Sequence, residues 1–585
     1  MLDPSLSREF LYYFGPFCLD PANATLLHNE TAKRLQPKTF EVLFVLVQNA
    51  GHLVTYETLI QMVWGSEVHN QSLRWQVSRL RDSLGVDRSQ TKYIETVPKR
   101  GFRFIAQVER VAVGGKDPRQ EHTSIAVLPF KLQGVSSRYK FLESGMAYTL
   151  TAMLSSLKEL VVRQTRAVRR CWLEEQDPIK VGRKLGVEWI LEGEFKVRKD
   201  RISVVGRLIN VESGKSKWEK RFDETYEDLF VAQDSMSQDL VAFLTGKSEH
   251  DPLRPTLTRH STESTEAYRN YIQGREFWNQ RTSDGLQSAI KYFERASEAD
   301  SEYALAYGGL ADCYNLLSYY SGLHPKEVFR KAEKFAEMAL YLDKTLAEAH
   351  TSLAYAISRC HWKWKEAEQG YKRAIELNPS YPTAHQWYGE HLTAMGRFNE
   401  AKAEVRKAEQ LDPNSAVISS AIGTVHYFAR EYDAAIDQYL RTIRKYPGFV
   451  RVHFRLCRAY VQKKMFPEAF SECQKALQLS LGRTKEIVEL GQAYAIAGQP
   501  EQARQIIGEL EQISKDSYVS EYNIAIVFVG LNDFPEAIRW LEEAYWSRDP
   551  WLEHLNVDPR LDELRREAKF KDILRDVGLP DRTLI

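Results

Sequence analysis

The sequence predicts a multidomain α+β chain: a small N-terminal module of helices and short strands, then a small α/β domain, then an all-α solenoid of helix pairs. Three observations predict it. Ala367, Ala401, Ala435, Ala469, Ala503 and Ala537 recur every 34 residues, and Ala374, Ala408, Thr442, Ala476, Leu510 and Ala544 follow seven residues behind. A period of this length marks helix pairs that bury their apolar faces only by stacking on neighbours. Between residues 123 and 245, strand-like apolar runs alternate with helical periodicities, the pattern of a layered α/β domain. Near the N-terminus a basic amphipathic helix precedes two short strands joined by a basic turn.

At 585 residues the chain exceeds a single core, and ordinary domain sizes divide it into three to five units. Hydrophobic residues make up 43% and charged residues 27%, so a long disordered tract is not implied. The net charge is +1, but it is unevenly spread. Residues 1–69 hold four Lys/Arg against seven Asp/Glu, whereas residues 70–110 hold nine against four. Such a local basic stretch is a candidate nucleic-acid footprint. The six cysteines show no CxxC spacing, which argues against a zinc ribbon or a disulfide framework and for a reducing cytoplasm. No signal-peptide pattern and no stretch long enough to span a bilayer are present, so the expected location is cytoplasmic, without a membrane partner.

In the first module, strands are expected at Tyr13–Leu19, Thr25–His28 and Ala32–Leu35. Pro37 suits a first helical position, and Phe40, Leu43, Phe44 and Val47 follow at helical spacing up to Gly51. Thr55 caps a second helix carrying Leu59, Ile60, Val63 and Trp64. A third helix, from about Asn70 to Leu84, aligns Leu73, Val77, Leu80 and Leu84 on one face. Gln71, Trp75, Ser78, Arg79 and Asp82 lie opposite, flanked by Arg74 and Arg81. Strands Tyr93–Val97 and Phe102–Ile105 enclose Pro98-Lys99-Arg100-Gly101. This describes a winged helix-turn-helix.

Residues 10–106 resemble the OmpR/PhoB-type winged-helix DNA-binding domain. The resemblance rests on PKTFEVLFVLVQNAG (37–51), LIQMVWG (59–65), NQSLRWQVSRLRDSLG (70–85) and YIETVPKRGFRFI (93–105). It implies that the third helix enters the major groove while the hairpin reaches the minor groove or its phosphates. Arg74, Trp75, Ser78 and Arg79 are then the base or groove contacts, arginine being able to grip guanine bidentately. Arg81, Thr96, Lys99, Arg100 and Arg103 are the candidates for phosphate or minor-groove contact.

After Gly114-Gly115-Lys116-Asp117-Pro118, strands are expected at 124–130, 159–163, 187–195, 202–209 and 217–222, with helices at 142–157, 178–185 and 229–244. IAVLPF (125–130), FLESGMAYTLTAML (141–154), KLGVEWILEGEF (184–195) and LINVESGKSKWEKRFD (208–223) resemble a TolB-like domain, a resemblance that implies a fold and a noncatalytic module. Gly214-Lys215-Ser216 and Gly246-Lys247-Ser248 end like a phosphate loop, but Ile209 and Val241 stand where its first glycine is needed. HExxH, GxSxG and GxGxxG are all missing from the chain. No catalytic residue, metal ligand or cofactor is therefore assigned, and His361, beside Trp362 and Trp364, is expected to pack between helices.

Beyond a Pro/Thr-rich stretch, the repeat 382–415 carries His385, Tyr388, Gly389, Leu392, Ala401, Val405, Ala408 and Pro413, and resembles the tetratricopeptide (TPR) consensus. Gly389, Gly423, Cys457, Gly491 and Ala525 supply the small residue where helices approach, and an insertion is expected around Leu316–Pro325. Such arrays take peptides or protein surfaces in a groove, for which Trp387, Tyr388 and Tyr427 are the candidate exposed aromatics.

The expected organisation is a winged helix over 9–108, a linker over 109–122, a TolB-like domain over 123–247 and a linker over 248–263. About eight TPR repeats follow over 264–550, with a capping helix and tail over 551–585. This order resembles HilA-type and CadC-like soluble transcriptional regulators, although no receiver domain precedes the winged helix and no membrane span follows it. The resemblance implies a cytoplasmic sequence-specific regulator, an activator, that reads double-stranded promoter DNA as tandem copies on direct repeats. Its TPR array would bind a protein partner or an effector, RNA polymerase or a second copy. The alternative is a TPR scaffold or adaptor whose winged helix contacts protein.

Overall fold

A computed structural model describes residues 10–112, 123–246, 262–480 and 487–580, apart from 16, 22–24, 29–30, 34, 66–69, 85–92, 99, 107, 135–136, 158, 199–200 and 226–228. The chain forms two units, residues 1–121 and 122–585. In the first, β1 (Phe10–Phe14), β2 (Phe17–Asp20), β3 (Thr25–His28) and β4 (Thr31–Lys33) precede α1 (Pro37–Gln48), β5 (Leu53–Thr55) and α2 (Tyr56–Trp64). Then come α3 (Asn70–Ser83), β6 (Ile94–Val97), β7 (Gly101–Phe104) and β8 (Glu109–Ala112). The single strand expected over 13–19 is two strands, because Gly15 adopts a φ of 53° and reverses the chain. Strand β8 lies in the expected linker and pairs antiparallel with β1, Tyr12 opposite Arg110.

Both faces of this unit are closed by one core. Leu43, Leu46, Leu59, Leu73, Val77 and Leu80 from the three helices pack with Phe14, Phe17, Tyr93 and Phe104 from the strands. Thr55 caps α2 through its Oγ1, which accepts from the Thr58 amide at 3.2 Å, and Gly65 ends the helix at a φ of 67°.

The second unit opens with the six-stranded sheet β11-β9-β12-β13-β14, with β10 beside β12. Its strands are β9 (Thr123–Val127), β10 (Lys131–Leu132), β11 (Leu160–Val162), β12 (Trp189–Arg198), β13 (Arg201–Asn210) and β14 (Ser216–Thr225). Four helices accompany them: α4 (Phe141–Ser155), α5 (Thr165–Glu174), α6 (Pro178–Leu185) and α7 (Leu229–Thr245). Strands β9, β11 and β12 run parallel, whereas β12, β13 and β14 form an antiparallel meander. Helix α5 is absent from the sequence reading, because its arginines mask a short buried face of Thr165, Ala167, Val168 and Cys171. Gly214 sits in the β13–β14 turn at a φ of 67°, away from any helix start.

Among the described residues, helix pairs then succeed one another eight times, from Thr265–Trp278 with Ser283–Ala299 to Glu521–Gly530 with Phe534–Ser547. The six alanines of the 34-residue register are fully buried, as close helix approach requires. A Cβ on Gly423 would stand 2.4 Å from the Tyr439 ring, and one on Gly389 2.7 Å from Val405. Residues 316–325 are no insertion between repeats. They are the end of Ala304–Tyr320 and the turn into Pro325–Leu342, two long helices of one pair. Cys457 and Cys473 face each other across one pair with Cα atoms 5.6 Å apart and form a disulfide. The expectation of no disulfide is thereby corrected: sequence spacing does not reveal that two small packing positions on partner helices coincide.

The middle domain is docked on the array. Tyr268 enters its core beside Met146 and Leu240, and the Gln164 side chain donates to the Ser380 carbonyl at 2.9 Å. The C-terminal stretch also departs from a simple cap. Among its described residues only Ala568–Val577 is α-helical, and the 3-10 turns Pro550–His554 and Pro559–Arg566 lie against the first helices Ala347–Cys360 and Glu521–Gly530. Arg359 pairs with Glu553 at 2.8 Å, Arg430 reaches Asp562 at 2.6 Å, and the Tyr522 hydroxyl donates to Asp558 at 2.9 Å. The indole of Trp364 donates to the Val577 carbonyl at 2.9 Å.

His391 shows what this dense packing does to a titratable group. Its ring lies among Trp364, Tyr371 and Tyr388 with both nitrogens unbonded, and burial pushes its pKa down to about 4. The unfolded ring takes a proton below pH 6.5 that the folded ring refuses until about pH 4. Stability present above pH 6.5 is therefore lost progressively as pH falls toward 4, by about 3 kcal/mol. His391→Leu is expected to remove that part of the acid sensitivity, measured as a flatter dependence of the denaturation midpoint on pH across this window.

Candidate nucleic-acid interface

The third helix is fixed by its buried seam, Leu73, Val77, Leu80 and Leu84, so its other face must meet solvent. Arg74, Trp75, Ser78 and Arg79 are all exposed there, and Trp75 is 53% accessible. An indole on this face could pack against the hairpin instead of meeting solvent. It does not: its ring carries the Arg79 guanidinium, 4.6 Å from the centroid. The Arg74 guanidinium sits 5.6 Å from the Tyr56 ring. Each arginine thus rests on an aromatic surface, which limits its rotamers and keeps its planar fork presented outward.

The other candidates divide by their partners. Arg81 donates from Nη2 to the Ile94 carbonyl at 2.7 Å and to Thr96 Oγ1 at 2.8 Å. Partial burial lowers its pKa from the usual arginine value. It joins the third helix to strand β6 and ties the helix to the hairpin. Arg103 pairs across the hairpin with Glu95 at 3.2 Å, so its charge is largely compensated. Arg100 is exposed at the hairpin turn, while its carbonyl accepts from the Tyr56 amide at 3.2 Å. Lys99 lies outside the described residues. Tyr56 and Glu95 escaped the sequence reading, since only the fold brings them beside Arg74 and Arg103.

Gly101 sets the hairpin against β5. A Cβ there would fall 2.0 Å from the Val54 carbonyl oxygen, so the close approach admits only glycine.

The aromatics proposed for the repeat groove are not surface residues. Trp387, Tyr388 and Tyr427 are 3%, 5% and 1% accessible. Trp387 packs on Tyr355 with centroids 4.1 Å apart, and Tyr388 donates to Glu368 at 3.0 Å. They hold adjacent repeats together, a correction that sequence could not supply because packing and groove positions share one helix. His361 is also corrected: it is part exposed and hydrogen-bonded to Glu333 at 2.9 Å. With Cys360 these form a group whose ligand atoms lie within 4.8 Å of one another, although burial raises the Cys360 thiol and disfavours the thiolate a metal needs. Among the described residues no helix is long and apolar enough to cross a membrane.

Residues 30–104 match the family described as transcriptional regulatory protein, C terminal. Residues 363–423 and 420–481 match tetratricopeptide repeat families. The transcriptional regulator HilA of Salmonella typhimurium is 26% identical over 445 residues, 75% of this chain and 76% of that protein. The cholera toxin transcriptional activator of Vibrio cholerae is 35% identical over 101 residues, 16% of this chain and 34% of that protein. Among solved structures, the DNA-binding domain of E. coli CadC is 29% identical, covering 17% of this chain and 97% of that one, with a TM-score of 0.16. The N-terminal unit is accordingly an OmpR/PhoB-type DNA-binding domain of transcriptional regulators, carried on the same chain as tetratricopeptide repeats.

Proposed function

We propose that the protein is a cytoplasmic transcriptional activator that reads promoter DNA through α3 and the β6–β7 hairpin, as tandem copies on direct repeats. The observation that carries this reading is the pair of aromatic-seated arginines, Arg74 on Tyr56 and Arg79 on Trp75, on the one face of α3 that the core leaves free. Long-range attraction to phosphate needs only charge, but reading base edges needs forks held in place. Arg81 and Thr96 support them by fixing the hairpin, and Arg100 supplies a backbone contact at its tip. The repeat array serves a protein partner, RNA polymerase or another copy of the chain. Since the 550–566 segment already lies on the first helices Ala347–Cys360 and Glu521–Gly530, such a partner engages the remaining surfaces or displaces that segment.

Genomic-fragment selection followed by gel shift at about 0.15 M salt tests the reading. Arg74→Ala and Arg79→Ala should each weaken the selected site by about tenfold to a hundredfold while barely changing binding to random DNA. Arg100→Ala should weaken both equally and flatten the salt dependence. Equal loss on specific and random DNA for all three variants would remove the base-reading role from α3.

A further inference from the structure

Where the middle domain meets the repeats, guanidiniums gather in excess of the acids that pair them. A cavity of about 50 Å³ opens between the start of α5, the turn after Thr265–Trp278, and the starts of Pro382–Ala394 and Ala416–Phe428. Its walls include Thr165, Arg166, Trp278, Arg281, Tyr381 and Asp412. The volume suits a few waters or one tetrahedral oxyanion.

Trp278 organises the basic wall. Arg281 lies 3.7 Å and Arg275 4.3 Å from the centroid of its ring. Arg275 is neutralised by Asp312 at 3.1 Å. Among the described residues, Arg166 and Arg281 form no ion pair, and Asp412 forms none with either. Burial pushes Arg281 down to about 10, with the nearby charge of Arg166 acting in the same direction, and burial pushes Asp412 up. Three donors in these walls have no acceptor: the Trp278 indole, the Tyr381 hydroxyl and the Arg281 Nε. Trp278 and Tyr381 are 3% and 4% accessible, so bulk water does not satisfy them.

We propose that this junction binds a small oxyanion, a phosphate or carboxylate group that is free or carried by a metabolite. Such a group supplies the missing acceptors and the missing negative charge together, and guanidinium forks match its geometry. Stacking on Trp278 pre-orders one fork, which lowers the cost of binding. The walls come from α5 and from three different repeats, so an occupied site ties the middle domain to the array. The site is independent of the DNA-binding reading. Asp412 is the opposing element: as a carboxylate it repels the ligand.

The test uses the full chain in isothermal titration with inorganic phosphate, glycerol phosphate and acetate, against chloride at equal ionic strength, with the tryptophan fluorescence change that is lost in Trp278→Phe as a second readout. Saturable binding of at least one oxyanion is expected. Preference for glycerol phosphate would mark a phosphate ester as the ligand class, preference for phosphate the free ion, and preference for acetate a carboxylate. Arg166→Gln and Arg281→Gln should each weaken binding by about tenfold or more, and Asp412→Asn should strengthen it. Glutamine keeps much of each stem, and far-UV circular dichroism checks that the variants fold. No saturable heat, or binding unchanged in both glutamine variants, would overturn the proposal.

Discussion

Arg560→Met is expected to destabilise the repeat array by about 3–5 kcal/mol, the cost of stranding buried carboxylates. The Arg560 side chain is fully buried; Nη2 donates to Asp558 at 2.7 Å and Nη1 lies 3.3 Å from Glu489. Glu489 is also gripped by Arg458, and Asp558 accepts from Tyr522. Two arginines therefore balance two carboxylates, with each charge desolvated. Removing one guanidinium leaves a net negative charge in a low-dielectric interior. Asp558, held well below the usual carboxylate range by Arg560 against the opposing effect of burial, would then rise. A second change, Glu489→Gln in the same variant, restores neutrality and should recover part of the loss, a coupling visible in a double-mutant cycle. Guanidinium denaturation followed by far-UV circular dichroism measures it. A loss below about 1 kcal/mol for Arg560→Met would mean that the network is solvated and contributes little.

Gly101→Ala should be the most damaging single change in the N-terminal unit. The added methyl would fall 2.0 Å from the Val54 oxygen and 2.8 Å from the Thr55 Cα, both backbone atoms that no rotamer change can move. The hairpin must lift from β5, breaking the ladder in which Val54 faces Phe102 and opening the core beneath Phe102 and Phe104. About 3 kcal/mol or more is expected from such combined strain and lost packing. Hydrogen exchange in the intact chain resolves it by location: protection should collapse across β5–β7 while the helix pairs stay unchanged. DNA binding should fall with it, because Arg81 would lose the β6 acceptors that set the helix against the hairpin. Retained protection at Phe102 and Phe104 would show that the hairpin tolerates the methyl.

Local periodicity made much of this architecture legible. The 34-residue alanine register survives as buried contacts because a small side chain is needed wherever two helices touch, whatever surrounds it. The seam Leu73, Val77, Leu80 and Leu84 likewise fixed which face of α3 could remain exposed, and with it Arg74, Trp75, Ser78 and Arg79. Pairings between distant residues left no such trace. Nothing about residues 109–112 announces that they extend the sheet at β1, since a ladder partner is chosen by the fold. Arg81 and Arg103 read as free cations until Thr96 and Glu95 are brought beside them. Trp387, Tyr388 and Tyr427 read as surface aromatics because helical spacing alone does not separate the side facing a neighbouring repeat from the side facing solvent. The junction arginines, 166 and 281, are separated by more than a hundred residues and meet only through domain docking.

The bonds from residues 553–562 to Arg359, Arg430, Glu489 and Tyr522 have a consequence for how the molecule comes apart. A row of stacked repeats is ordinarily a zipper, free to fray from one end while the other stays shut. Here a returning strap stitches distant teeth to one another and turns the zipper into a hoop. A hoop has no loose end, so the pairs from the third to the eighth should yield together, in one sharp transition.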